Sequence, residues 1–398
     1  MYKRGVTDPI GEFRPPDRLL LGPGPSQVHP RVLRAMSAPL IGHLDPAFVA
    51  MMEEVKTLLR HVFGTANGLT LPISGTGSAG MEACVVNLIE PGDTAVVGVN
   101  GVFGTRMAEV AERAGARVVR VEAAWGEIVR SEQVEAALKN CERPKLVALV
   151  HAETSTGAWQ PLAEAAELAH RHGALFLADC VTSLGGVPVD VDATGIDAAY
   201  SGTQKCLSCP PGLAPVTFGP RAVEVVMRRK TKVQSWYLDL SLLAKYWGEE
   251  RVYHHTAPIT MNYALREALR LVVEEGLPAR YERHMRQHRA LAAGLEAMGL
   301  SLAAQQGHRL PMLNAVSVPE GVDEGKVRAC LLERHGIEIG AGLGPMKGKV
   351  WRIGLMGESC RRTSVLAVLS AIEQALQAQG RRIAPGAGLA AAAGEYAR

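Results

Sequence analysis

ALFLADC (residues 174–180) is the stretch from which the fold can be read: five apolar residues run unbroken into one carboxylate, Asp179. A strand with one wet face alternates polar and apolar residues. A strand with no polar residue before its end is covered on both faces, as strands inside parallel sheets are. LTLPIS (69–74), TAVVGV (94–99), ARVVRVE (116–122), KLVALVHAE (145–153), IDAAYS (196–201) and GLAPVTFG (212–219) also read as strands. Between them, residues 78–89, 104–114, 131–139 and 161–172 carry apolar side chains at helical spacing. Strand and helix in alternation imply an α/β fold, a mostly parallel sheet with helices on both faces.

After about residue 262 the pattern changes. ALREALRLVVEEG (264–276) and YERHMRQHRALAAGLEAMG (281–299) are helix-rich and lead into an α+β stretch that ends in SVLAVLSAIEQALQ (364–377). The expected organisation is an N-terminal arm over residues 1–19, a large domain over 20–275, a smaller α+β C-terminal domain over 276–380, and a loosely held tail over 381–398.

Composition narrows the function. The chain has 398 residues, 47% hydrophobic and 21% charged, with a formal net charge of +3. That is ordinary for a globular protein, and without a dense Lys/Arg block nucleic acid is not expected as a partner. Seven scattered cysteines, an odd number, read as free thiols. Cys206 and Cys209 form one C-x-x-C pair with no second pair at zinc spacing, so no metal site is expected. The N-terminal residues have no apolar core of the kind a secretory signal carries, and no apolar run approaches a membrane span. The expected location is the cytoplasm.

Gly75-x-Gly77-x-x-Gly80 in SGTGSAGME (74–82) follows a strand and opens a helix, the order of a dinucleotide fingerprint. The acid that such a fingerprint needs after the next strand is missing: TAVVGVNGVFG ends in neutral residues. What remains is a glycine-rich helix N-terminus, whose backbone N–H groups suit a phosphate of any owner. An NAD-dependent dehydrogenase would rest on this motif alone.

Lys205, in YSGTQKCLSCPPG (200–212), has small or uncharged neighbours and no acid beside it in sequence. A phosphate cradle, an acid at a strand end and a lysine after the next strand together describe a site for pyridoxal phosphate. The lysine forms a Schiff base, and the acid keeps the ring nitrogen protonated so that the ring can accept electrons.

From LLLGPGPS near residue 19 to about residue 378 the chain resembles the class V aminotransferases, nearest to the alanine–glyoxylate and serine–glyoxylate (serine–pyruvate) group. The motifs that carry this are SGTGSAGMEA, VNGVFG, HAETSTGAWQPL, DCVTSLGG, YSGTQKCLSCPPG, RKTKVQSWYLD, VYHHTAP and GLGPMKGKVWRIGLMG. The resemblance implies a fold-type I transferase that is an obligate homodimer. It assigns Lys205 as Schiff-base lysine and proton carrier, and Asp179 as partner of the ring nitrogen. Thr154 takes the place of the hydroxyl residue on the ring's phenolic oxygen, often Ser in relatives. Phe103 takes the place of the stacking aromatic, Trp in animal relatives. Gly77, Ser78 and Gln204 are assigned to the phosphate, Ser78 standing where animal relatives carry His. Tyr253 and Thr256 are assigned to the phosphate of the neighbouring subunit's cofactor. Adjacent His254 and His255 point apart on any regular element, which argues against chelation.

Arg352, flanked by apolar residues, matches the arginine that grips the substrate carboxylate. No second arginine is assigned beside it, which favours small neutral substrates over dicarboxylates. GAGLGPMKGK (340–349) lacks the cysteine of a cysteine desulfurase. The implied reaction is a ping-pong transfer from alanine or serine to glyoxylate or pyruvate. A pyridoxamine–pyruvate or aminoethylphosphonate transaminase is the alternative, with IGHLDPAF (41–48) a candidate for lining the pocket.

Overall fold

The computed structural model describes residues 11–398; residues 1–10 of the expected arm lie outside the described residues. A seven-stranded sheet runs in the order Leu69–Ser74, Leu213–Phe218, Ala198–Tyr200, Leu175–Asp179, Pro144–Val150, Thr94–Val99, Arg117–Glu122. All neighbours are parallel except Leu213–Phe218, which is antiparallel to both of its own. Alternate residues of Leu175–Asp179 face opposite ways, Leu175 and Leu177 into one core, Phe176 and Ala178 into the other. The first core is closed by the helices Gly77–Leu88, Val102–Arg113 and Leu240–Trp247. The second is closed by Pro46–Phe63, Ser131–Lys139, Ala163–Arg171 and Ile259–Glu275. The four helices expected from sequence are present, displaced by no more than two residues at either end.

A third core belongs to the C-terminal part. There the strands Leu313–Ser317, Val350–Gly354 and Gly340–Ala341 form an antiparallel sheet under the helices Leu277–Ala297, Glu324–His335 and Arg362–Gln377.

Two expectations need correction. Leu19–Leu20 pairs in parallel with Ile337–Glu338, and Leu21 is fully buried in the C-terminal core, so this stretch packs with the C-terminal part and not with the large sheet. Residues 381–398 are not loose either: Ala387–Ala397 is a helix against Leu277–Ala297. Its alanines are strong helix formers. Its small residues allow close approach: a Cβ at Gly294 would lie 2.9 Å from the Gly388 carbonyl. Tyr396 then buries its ring, with the Arg362 guanidinium 4.6 Å from the ring centroid.

Candidate active site

Parallel strands deliver their last residues to one edge. Register places Val150, Asp179 and Tyr200 side by side there. Asp179 is buried; its Oδ1 accepts from the Val181 N–H at 2.9 Å and its Oδ2 from the Tyr200 hydroxyl at 2.7 Å. Burial pushes its carboxyl up to about 6, against those two bonds and the charges of Lys205 and Arg106.

Lys205 lies in the connection from Tyr200 to Leu213. Its backbone is pinned from several sides. Ser26 Oγ donates to the Lys205 carbonyl at 2.8 Å, the Ser26 N–H donates to the Gln204 carbonyl at 2.9 Å, and Arg280 donates to the Cys206 carbonyl. The Lys205 amine donates to the Pro23 carbonyl. Gly24 passes against that amine with φ +110°, a backbone conformation that favours glycine. Burial, helped by the Arg352 charge, brings the amine down to about 8.

A cleft opens over these two residues. Gly77, Ser78, Phe103, Thr154 and Gln204 also line it, as does Arg106, which sequence reasoning missed. Arg106 sits one turn after Phe103 on the same helix, with its guanidinium 5.2 Å from the Phe103 ring centroid. That i, i+3 spacing was the available signal.

Glu153, also missed, is a fully buried carboxylate bonded to the N-terminus of helix Val102–Arg113. It accepts from the N–H groups of Phe103 (3.1 Å), Gly104 (3.3 Å) and Ser155 (3.1 Å) and from Ser155 Oγ (2.5 Å). A Cβ at Gly101 would lie 2.4 Å from its Cδ, so the approach needs a glycine. The clamp holds Phe103 relative to Thr154. Despite four donors, burial dominates and pushes Glu153 from 4.5 up to about 7.

The sign of this shift yields a prediction. Between about pH 4.5 and 7 the folded chain keeps this proton more tightly than the unfolded chain, so wild type loses stability as pH rises through the window. Cofactor-free Glu153→Gln should escape that loss. Its urea midpoint should move in its favour relative to wild type between pH 4.5 and pH 7. A constant difference would mean that Glu153 is ionised throughout.

Arg352, on strand Val350–Gly354, reaches the site through Thr154. Nη1 donates to the Thr154 carbonyl at 3.2 Å and Nε to the Ala341 carbonyl at 2.7 Å. No carboxylate of the described residues pairs with it, although it is only 7% exposed. Its remaining N–H groups are free to donate to an anion.

The family model described as aminotransferase class V matches residues 18–369. The chain belongs to the class V aminotransferases. An alanine–glyoxylate aminotransferase of Nostoc sp. superposes with a TM-score of 0.91 at 52% identity, over 92% of this chain and 97% of that one. A ureidoglycine–glyoxylate aminotransferase of Bacillus subtilis superposes with a TM-score of 0.95 at 45% identity, over 98% of this chain and 100% of that one. The alanine–glyoxylate aminotransferase of Mus musculus is 44% identical over 94% of this chain and 92% of its own.

The aminotransferase is of fold type I and uses pyridoxal 5′-phosphate, and the residues present fit that group. No side chain caps the helix N-terminus at Thr76, which leaves its N–H groups to an anion. Gln204 lines the same cleft, where its side-chain amide N–H groups can donate to a phosphate. The dehydrogenase reading is set aside with the family assignment.

Tyr253 and Thr256 are not brought into the cleft of their own chain; both are exposed, Tyr253 at 60%. The neighbouring histidines do not point apart as expected. They lie in an irregular segment, where nothing enforces alternation, and their Nδ1 atoms meet at 2.8 Å. His255 Nε2 in turn lies 2.7 Å from Ser74 Oγ, one residue before the phosphate loop. Among the described residues no group of three His, Cys, Asp or Glu side chains is placed to hold a metal ion, and no helix is long and apolar enough to cross a membrane. Cys206 and Cys209 are buried free thiols.

Proposed function

We propose that this aminotransferase passes the amino group of a small amino acid, alanine or serine, to glyoxylate or pyruvate in a ping-pong cycle. The observation that carries the reading is a lysine amine lowered toward neutrality and a strand-end carboxylate lining one cleft, with an arginine that has no carboxylate partner bonded to the carbonyl of Thr154 in that lining. When bound, the cofactor supplies an electron sink for the pair left on the substrate's α-carbon. The chain's residues do the rest. Lys205 anchors the cofactor and then moves the proton from the α-carbon. Asp179 holds a proton on the ring nitrogen, Phe103 covers the ring face, and Thr154 meets the phenolic oxygen. Gly77, Ser78 and Gln204 hold the phosphate, and Arg352 aligns the substrate carboxylate.

We assign Leu19–Leu21 and residues 276–398 to the smaller domain, and the chain between them to the cofactor-binding domain. We also assign a homodimer, each chain offering Tyr253 and Thr256 to its partner's phosphate. The exposure of Tyr253 and of Trp236, which stacks on the adjoining His254 and is itself 61% exposed, supports a covered face there.

A second reading of the donor is (S)-ureidoglycine. It is favoured by the 44% identical (S)-ureidoglycine–glyoxylate transaminase of Bacillus subtilis, aligned over 97% of both chains. A panel of alanine, serine, (S)-ureidoglycine, pyridoxamine and aminoethylphosphonate against glyoxylate and pyruvate separates the donors by kcat/KM.

Asp179→Asn tests the site. A neutral amide cannot hold the ring nitrogen protonated, so turnover should fall by at least about a hundredfold while the protein still folds. Turnover near wild type would reduce Asp179 to a loop-capping residue.

A further inference from the structure

Asp179 holds two hydrogen bonds of different origin. The bond from the Val181 N–H comes from backbone and would serve any residue type at that position. The bond from Tyr200 is a side-chain choice. Tyr200 is the register partner of Asp179 on the adjacent parallel strand, so the two side chains share a face of the sheet. The phenol is fully buried, and its other polar neighbour is the weak acceptor Met107 Sδ at 3.7 Å. A buried hydroxyl with one strong acceptor is committed to it.

Packing fixes the phenol in place. Helix Gly77–Leu88 meets the sheet at Gly80, where a Cβ would lie 3.2 Å from Tyr200 Cβ and 3.0 Å from Ala214 Cβ. The helix that presents Gly77 and Ser78 therefore rests on the strand that presents Tyr200. The charges facing Asp179 are Lys205 and Arg106, which favour its ionised form, and Glu153, which opposes it. Cys84, Cys180 and Tyr200 complete its surroundings as neutral thiols and phenol, each held neutral by burial. Loss of the Tyr200 donor, which favours the ionised form, raises the Asp179 carboxyl further.

We propose that Tyr200 is the positioning residue of Asp179: its hydroxyl aims the carboxylate, keeps it ionised ahead of cofactor binding, and sets the lowest pH at which the ring nitrogen meets a charged partner. This rests on the reading of Asp179 as the partner of that nitrogen.

Tyr200→Phe keeps the ring and removes the donor. The probe is pyridoxamine 5′-phosphate, which makes no covalent bond to Lys205, so its dissociation constant reports the site directly. Losing one hydrogen bond to a charged group raises the Asp179 pKa by roughly one unit. The variant should then bind the probe about fivefold more weakly than wild type at pH 6 and nearly equally at pH 8, the ratio expected when a competing proton is held about ten times more tightly. Introduced into Asp179→Asn, the same change should alter the constant equally at both pH values.

A pH-independent ratio in the Asp179 protein, whatever the melting temperature does, overturns the inference and leaves Tyr200 as packing. A probe affinity in Asp179→Asn equal to wild type at every pH overturns the underlying reading as well, and so distinguishes the two failures.

Discussion

The Lys205→Ala protein should still take up pyridoxal 5′-phosphate but transaminate at least about a thousandfold more slowly, because the covalent anchor and the proton carrier vanish together. The structure makes a sharper statement about the amine itself. Burial first, and the Arg352 charge second, bring it from 10.5 to about 8. At pH 8 about half of it is neutral, against well under one per cent for an ordinary lysine. The rate of covalent attachment in the cofactor-free enzyme should therefore rise to about pH 8 and flatten, where an unperturbed lysine would keep gaining for about two more units. Borohydride reduction and peptide mapping should put the label on Lys205. A label on Lys230 or Lys232, or a rate still climbing at pH 10, would sink the assignment.

Arg352→Lys should lower kcat/KM by about 30-fold to several thousand-fold, equivalent to roughly 2–5 kcal/mol for breaking a desolvated bidentate pair. Charge is kept, but one ammonium cannot offer two parallel N–H bonds to a carboxylate while satisfying the Thr154 and Ala341 carbonyls that Arg352 now serves. The loss should fall equally on alanine, serine and both oxo acids, since all present the same carboxylate. Visible absorbance of the bound cofactor should be unchanged. If Arg352 were scaffolding, the melting temperature would drop and kinetics would stay near wild type; measuring both in one preparation separates the roles.

Strands and helices around the large sheet were legible because burial on both faces removes polar residues from the strands, as in Leu175–Ala178, and because helices between them must show one apolar face. The direction of Leu213–Phe218 was not legible from its residues, since six buried residues read alike both ways. It was written in the connection: residues 201–212 contain no helix, and a return to a parallel strand needs a crossover. Of the site, the residues with unusual chemistry stood out, Lys205 and Asp179 most clearly. Glu153 and Tyr200 did not, because what marks them is the partners they reach. Glu153 bonds to N–H groups some fifty residues back, and Tyr200 to a carboxylate on the next strand. The C-terminal helix was obscured by the proline and glycines that precede it, although its own alanines signal helix.

The strand Leu19–Leu20 is hydrogen-bonded into the C-terminal part, and the Leu21 carbonyl accepts from the Gly354 N–H at 2.7 Å, two residues beyond Arg352. Only two residues later the Pro23 carbonyl holds the Lys205 amine. Two residues of fully extended chain span at most about 7 Å. The N-terminal segment is therefore a short leash between the two halves of the molecule. The same segment thus ties the strand that carries Arg352 to the carbonyl that meets the Lys205 amine.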